Sequence, residues 1–163
     1  NLVNRVLSMV HKTCDGAVPA ADGRTAEDLA VLATVDAALV TVTDQIERVE
    51  LRAALRTGMD GAAAVNAYLN ATEPWKLAKT DPERARVVLG TALAAVAGVR
   101  VALSPYLPFT TLALEDVFGP IDAWERAEPT AGTPVSKPTP LFAKVDLDEL
   151  LAGQSPDEQS PTG

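Results

Sequence analysis

Asp81-Pro82-Glu83-Arg84-Ala85-Arg86-Val87-Val88-Leu89-Gly90-Thr91-Ala92-Leu93-Ala94-Ala95-Val96-Ala97-Gly98-Val99-Arg100-Val101-Ala102-Leu103 is the stretch on which the fold turns. It opens with a helix start signal: Asp as cap, Pro in the first turn, then an acid favoured by the helix dipole. Beyond Arg86 it is apolar on most sides, through Val87, Val88, Leu89, Leu93, Val96, Val99, Val101 and Leu103. A helix over 82–103 that is apolar nearly all round belongs inside a bundle. Pro105 and Pro108 stop it.

Working outward, the flanks repeat the helical period. Leu2, Val3, Val6, Leu7 and Val10 give residues 1–12 one apolar face, and Asn1, Arg5, Ser8 and Lys12 form a polar stripe opposite. Asp15-Gly16 ends that helix, with Gly free to take the left-handed cap. Thr25 with Asp28 resembles a capping box. A helix follows to about residue 47, with Leu29, Leu32, Val35, Leu39, Val42 and Ile46 expected inward. A third runs over about 50–71, with Leu51, Leu55, Met59, Ala62, Ala63 and Leu69 expected on its core side. Gly58 and Gly61 weaken it locally and let another helix come close. Thr110 is expected to cap a short fifth helix through Phe118, closed by Gly119-Pro120. The fold class is therefore all-α: an antiparallel bundle of about five helices with an extended C-terminal segment.

The organisation expected is a helical bundle over 1–127, a Pro-rich connector and short packing segment over 128–152, and a disordered tail over 153–163. Residues 128–140 hold four Pro and no periodicity, Leu141-Phe142 is an apolar anchor, and 146–151 has room for a turn or two of helix. The chain opens on an amphipathic pattern without an initiator Met, which suits a piece of something longer. No uninterrupted apolar run approaches a membrane span, and no secretory signal is visible. A single Cys, Cys14, suits a reducing cytoplasm and gives no metal cluster.

The net charge of −8 argues against bulk electrostatic binding of nucleic acid. Residues 1–80 carry eight Lys/Arg against ten Asp/Glu, and 81–163 carry six against twelve, so the acidic excess sits mainly in the C-terminal half. Any nucleic-acid contact must be local and shaped, and must lie in the N-terminal half.

No catalytic constellation is visible. There is no Gly-rich phosphate loop, and His11 near Cys14 reads as a helix-end His beside a half-buried thiol. Glu47 and Glu50 flank a turn and read as solvated, and no carboxylates form a pair with signs of burial. The chain has two Trp, two Tyr and three Phe. Trp124, among acids, reads as structural. Trp75 follows a helix end and Pro74, and is expected on a loop stiffened by that Pro. Such a ring completes a core edge or serves as a flat platform for an unpaired base. Asn66 and Asn70 stand a helical turn apart just before it.

Four motifs occur in order: Asn1-Leu2-Val3-Asn4-Arg5-Val6; Asn66-x-Tyr68 with Glu73-Pro74-Trp75-x-Leu77-Ala78-Lys79; Leu103-x-Pro105-Tyr106-Leu107-Pro108; and Pro140-Leu141-Phe142-x-Lys144. Together they closely resemble the C-terminal part of methionyl-tRNA synthetases over about residues 1–147. The resemblance implies a helical bundle that recognises the CAU anticodon of tRNA(Met). It implies that Trp75 stacks the first anticodon base, that Asn1 and Arg5 contact anticodon bases or backbone on the same surface, and that Pro74 sets the segment presenting the ring. Asn70 would sit near the anticodon where some relatives carry an acid. The Leu141-Phe142 segment would pack against the rest of the enzyme. The His-Ile-Gly-His-like and Lys-Met-Ser-Lys-Ser-like segments of the family's catalytic domain are not in this sequence. Methionine activation, with its ATP, Mg2+ and any structural Zn2+, is thus assigned to another part of the parent chain, and no cofactor to this one. The implied partners are tRNA(Met) and that catalytic domain, in a monomeric cytoplasmic enzyme away from membranes. The competing readings are a helical protein-interaction bundle without RNA binding and an independent enzyme.

Overall fold

The computed structural model describes residues 2–135, 137, 138 and 141. Expectations for Asn1, for Phe142 and Lys144, for a helical turn at 146–151 and for the tail 153–163 lie outside the described residues. Seven helices occur among the described residues, without a strand: α1 (Leu2–Thr13), α2 (Ala26–Glu47), α3 (Leu51–Thr72), α4 (Pro74–Thr80), α5 (Pro82–Leu103), α6 (Pro108–Leu112) and α7 (Glu115–Phe118).

The central helix is α5, as its composition requires. It is buried from Val88 through Leu103 and packs against α1, α2, α3 and α4. Asp81 Oδ1 accepts from the Arg84 amide at 3.0 Å, and Pro82 occupies the first turn. By length and hydropathy both α2 and α5 could cross a bilayer, but 89% of the α5 window is buried, the mark of a bundle core. Its small residues set the packing distance. A Cβ on Gly98 would lie 2.5 Å from Val35 Cγ1 of α2, and one on Gly58 of α3 would lie 2.7 Å from Leu103 Cδ2. The expected close approach at Gly58 is thus real.

Two helix faces depart from expectation. In α2, Leu32, Val35, Leu39 and Val42 are buried, but Leu29 is 55% exposed and Val31 takes its place inside. In α3 the phase is rotated over the first half, while Leu69 is buried as expected and Ala62 packs against the core. Its buried side is Ala54, Gly58, Gly61, Val65, Tyr68 and Leu69. Leu51 and Met59 are each 53% exposed, Leu55 is 38% exposed, and Ala63 is also outside. The reason is steric: the glycines of α3 come closest to α5, so the face bearing Gly58 and Gly61 goes in and Leu51, Leu55 and Met59 go out.

Residues 74–80 form a short helix rather than the expected loop, with Pro74 at its first position. The expected fifth helix is two separate turns, and Thr110 lies inside α6 instead of capping it. Leu107 precedes Pro108, and a residue before Pro is pushed out of the helical region, so α6 starts at the Pro. Chain reversals use left-handed residues at Asp15 (φ 55°), Gly16 (φ 70°), Val49 (φ 61°) and Glu73 (φ 45°). The Pro-rich connector is tied down along its first half. Val18 N–H donates to Thr133 O (2.9 Å), Val135 N–H donates to Gly16 O (2.7 Å), and Val135 is buried.

Candidate nucleic-acid interface

The site begins with the last turn of α3. Glu73 caps its C-terminus in the left-handed region and at the same time precedes the first turn of α4. Its N–H donates to Leu69 O (3.0 Å), and its own C=O accepts from Lys76 N–H (2.8 Å). Pro74, buried, fixes the next φ. Trp75 is thereby presented from a helical turn, 39% exposed.

Three of the sequence-predicted residues converge here. The Arg5 guanidinium of α1 lies over the Trp75 ring, its Cζ 5.0 Å from the centroid. Arg5 Nη2 also donates to Asn70 Oδ1 of α3 at 2.9 Å. An indole, a guanidinium and an amide from three helices thus form one ledge, with Pro74 beneath it. Asn1 lies outside the described residues. Asn66 is not part of the ledge: its Nδ2 donates to Ala62 O within its own helix (3.3 Å), and it lines a different hollow. Beside the ledge is an open depression of about 470 Å³ whose walls include Ser8, Lys12, Thr13, Trp75 and Lys79. Lys12 and Lys79 make no ion pair among the described residues. No carboxylate lines this depression.

Trp124 supplies an internal control. It too is 39% exposed and lines a hollow of about 480 Å³. Its walls, however, carry Asp36, Asp44 and Glu125, with one cation, Arg126, which is paired to Asp36 (2.8 Å) and Glu128 (2.5 Å). The Trp124 indole N–H donates to Leu39 O at 3.4 Å. Two equally open indoles therefore differ in charge: one faces cations and a ring-stacked guanidinium, the other faces acids. Only the first suits a polyanion.

Beneath the ledge lies a charge cluster that sequence reasoning missed. Asp28 is fully buried. It accepts from Tyr68 Oη (2.5 Å), from Arg84 Nη1 and Nη2 (2.6 and 2.8 Å) and from the Thr25 N–H (2.8 Å). Burial alone would push its carboxyl up, but the hydrogen bonds from Arg84, Tyr68 and Thr25 outweigh this and hold it well below the usual carboxylate range. Tyr68 is pushed well up, by burial and by Asp28. The cluster pins the end of α3 to the starts of α2 and α5, and so fixes the turn that carries Asn70 and Glu73. The capping-box spacing of Thr25 and Asp28 was its one sequence signal; nothing marked Tyr68 or Arg84 as the partners.

The remaining candidates are structural. Cys14 is buried, and burial pushes its thiol up to about 11, far from a nucleophile's range. His11 Nδ1 lies 3.1 Å from Val135 O, engaged with the connector. Among the described residues no group of His, Cys, Asp and Glu is placed to hold a metal ion.

A sequence profile described as the anticodon binding domain of methionyl tRNA ligase matches residues 18–154. The chain belongs to this family. The match starts after α1, so Asn1 and Arg5 fall before it. The chain is 37% identical to methionine–tRNA ligase of Beutenbergia cavernae, over 94% of this chain and 31% of that protein. It is 36% identical to that of a Nocardioides species, over 93% and 31%. Methionyl-tRNA synthetase of Mycobacterium tuberculosis, in its free state, superposes with a TM-score of 0.79 at 28% identity, over 90% of this chain and 31% of that one. The matched chain spans about a third of the length of these relatives.

Proposed function

We propose that this domain reads the CAU anticodon of tRNA(Met) within a methionine–tRNA ligase, and that Trp75 is the platform for the first anticodon base, cytosine. The observation that carries the reading is the pairing of a half-open indole with Arg5 and Asn70, beside a depression walled by Lys12 and Lys79 and by no acid. Anticodon bases are unpaired and can be splayed outward, and proteins read such bases by stacking plus hydrogen bonds to their edges. Stacking on the free part of the indole supplies affinity. Arg5, braced by Asn70, and Asn1, one helical turn earlier in the sequence, supply contacts to base edges or backbone. Pro74 holds the turn. The π-face accepts any base, so the preference for cytosine comes from these polar neighbours.

Such a design suits an acidic domain. The binding free energy is concentrated in a few contacts, with little call on a broad basic surface. Methionine activation with ATP and Mg2+, and any structural Zn2+, belongs in this reading to the rest of a monomeric cytoplasmic ligase.

The test is Trp75→Ala with a CAU anticodon stem-loop. Loss of one stacked base costs about 1–3 kcal/mol, which is roughly a 5- to 150-fold rise in Kd. The ring is half-exposed, so thermal unfolding should change little. Unchanged affinity, or a variant that does not fold, refutes the role of Trp75 as platform.

A further inference from the structure

Anticodon reading leaves the second indole without a task. Trp124 walls its hollow together with Val40, Asp44 and Glu125. Its N–H is engaged with Leu39 O (3.4 Å), so the ring offers the hollow its carbon surface. Val40 joins the hollow to the outer side of α2. Only 28% of the apolar window of that helix is buried, against 89% in α5. Leu29, 55% exposed, and Val40, 65% exposed, stand on its outside, with Ala33 and Ala37 exposed between them. At 3.6 residues per turn these four fall within an arc of about 80°. An exposed apolar stripe that runs into an aromatic hollow is the kind of contiguous patch that marks an interaction surface.

Charge says what covers it. The 22 residues of α2 include no Lys or Arg. Asp36 and Asp44 wall the hollow, and Glu47 closes the helix. Asp36 is paired with Arg126 (2.8 Å). Asp44, Glu47 and Glu125 make no ion pair among the described residues. Such a rim repels nucleic acid and an anionic lipid surface. A second copy on the same face would set these acids against themselves. Residues 142–163, outside the described part, carry one Lys against five Asp and Glu, so they mismatch it as well. We propose that the outer stripe of α2 and the Trp124 hollow dock a basic amphipathic helix of another protein. Its apolar side lies along Leu29, Ala33 and Val40, and one Lys or Arg sits over Trp124 beside Asp44 and Glu125. A cation is drawn to the face of a Trp within about 6 Å of the ring centre. Amphipathic helices are held in grooves by apolar anchors a helical turn apart, the spacing this stripe presents. The proposal makes no use of RNA and stands apart from the role of Trp75.

The experiment uses the full-length synthetase without RNA. The probe is a fluorescein-labelled amphipathic helix of Leu, Ala and Lys, about five turns long. Binding is followed by anisotropy at about 0.15 M salt, where exposed charges farther apart than about 8 Å are largely screened. The parent protein should bind the probe. Asp44→Lys should raise Kd at least about tenfold, and Val40→Gln at least about threefold. Asp116→Lys changes the charge equally at an exposed acid of α7 that does not line the hollow, and should leave Kd within about twofold. Equal binding of a scrambled peptide of the same composition, or equal losses in Asp44→Lys and Asp116→Lys, would leave net charge alone at work and overturn the proposal. Absence of binding by the parent also overturns it. A parent dimer that Val40→Gln breaks, read by sedimentation, overturns it in favour of a second copy. Binding to anionic vesicles that Val40→Gln abolishes overturns it in favour of a membrane. Stem-loop affinity is measured separately, so failure here leaves the anticodon reading intact.

Discussion

Replacing Asp28 by Ala tests whether the ledge is held from below by a buried ion pair. The carboxylate is fully buried and accepts four hydrogen bonds: one from Tyr68, two from Arg84 and one from the Thr25 amide. Its removal leaves the Tyr68 hydroxyl without its acceptor, with the Thr91 hydroxyl nearby as a poor substitute. A buried donor left unmade costs about 1–3 kcal/mol, and loss of the capping contact to Thr25 adds about 1 kcal/mol. The Arg84 side chain is 23% exposed and can partly rehydrate. The total should fall at the lower end of the roughly 3–5 kcal/mol seen when one partner of a buried pair is removed. For a chain of this length each kcal/mol moves the melting point by about 2–4 °C. The expected fall is therefore on the order of 6–12 °C, read by circular dichroism at pH 7. The pH dependence gives a second reading. The folded-state pKa of Asp28 is lowered, so its stabilisation is present above the unfolded value near 4 and is lost as acid is added below that value. Asp28→Ala should accordingly lose less stability than the parent between about pH 4 and pH 2. A melting point within about 2 °C of the parent, equivalent to less than 1 kcal/mol, would refute the cluster's structural role.

Gly98→Ala should destabilise by about 1–3 kcal/mol in urea unfolding, because its Cβ meets Val35 Cγ1 at 2.5 Å, and a β-branched side chain on a packed helix has little room to turn. That outweighs the roughly 0.5–1 kcal/mol gained by removing a helical glycine, so net stabilisation would show that α2 and α5 are not in tight contact there. Val49→Asn should raise the melting point by about 2–4 °C, since Val49 is 77% exposed at φ 61° and a left-handed residue costs about 1–2 kcal/mol; a lower melting point counts against that geometry. Stem-loop affinity against salt should show a log–log slope near −1.4, from two phosphates neutralised by Lys12 and Lys79 at about 0.7 each. A slope steeper than about −3 would point to a wider basic contact.

The helices were legible because their apolar periods and start signals agree, most clearly in α5, where the cap, the first-turn Pro and the range 82–103 were all read correctly. The phase of the first half of α3 was not. Its helix carries an apolar stripe and a small-residue face, and hydropathy ranks Leu and Met above Gly. Packing ranks them the other way when a crowded neighbour must come close. The ledge was legible through rare residues: Trp75, Arg5 and Asn70 do meet, though from a helical turn rather than a loop. The buried acid beneath it was not, because Asp28 and Arg84 lie 56 positions apart and their attraction is a product of the fold. In sequence each looks like an ordinary first-turn charge.

Glu73 has one further consequence. A single non-glycine residue with φ 45° and ψ 56° joins two helices, and the tilt of the indole relative to Asn70 is inherited from that one pair of angles. The ledge is therefore held on a bracket with one elbow. Its aim changes when the elbow bends, even if every contact on the ledge itself is left untouched.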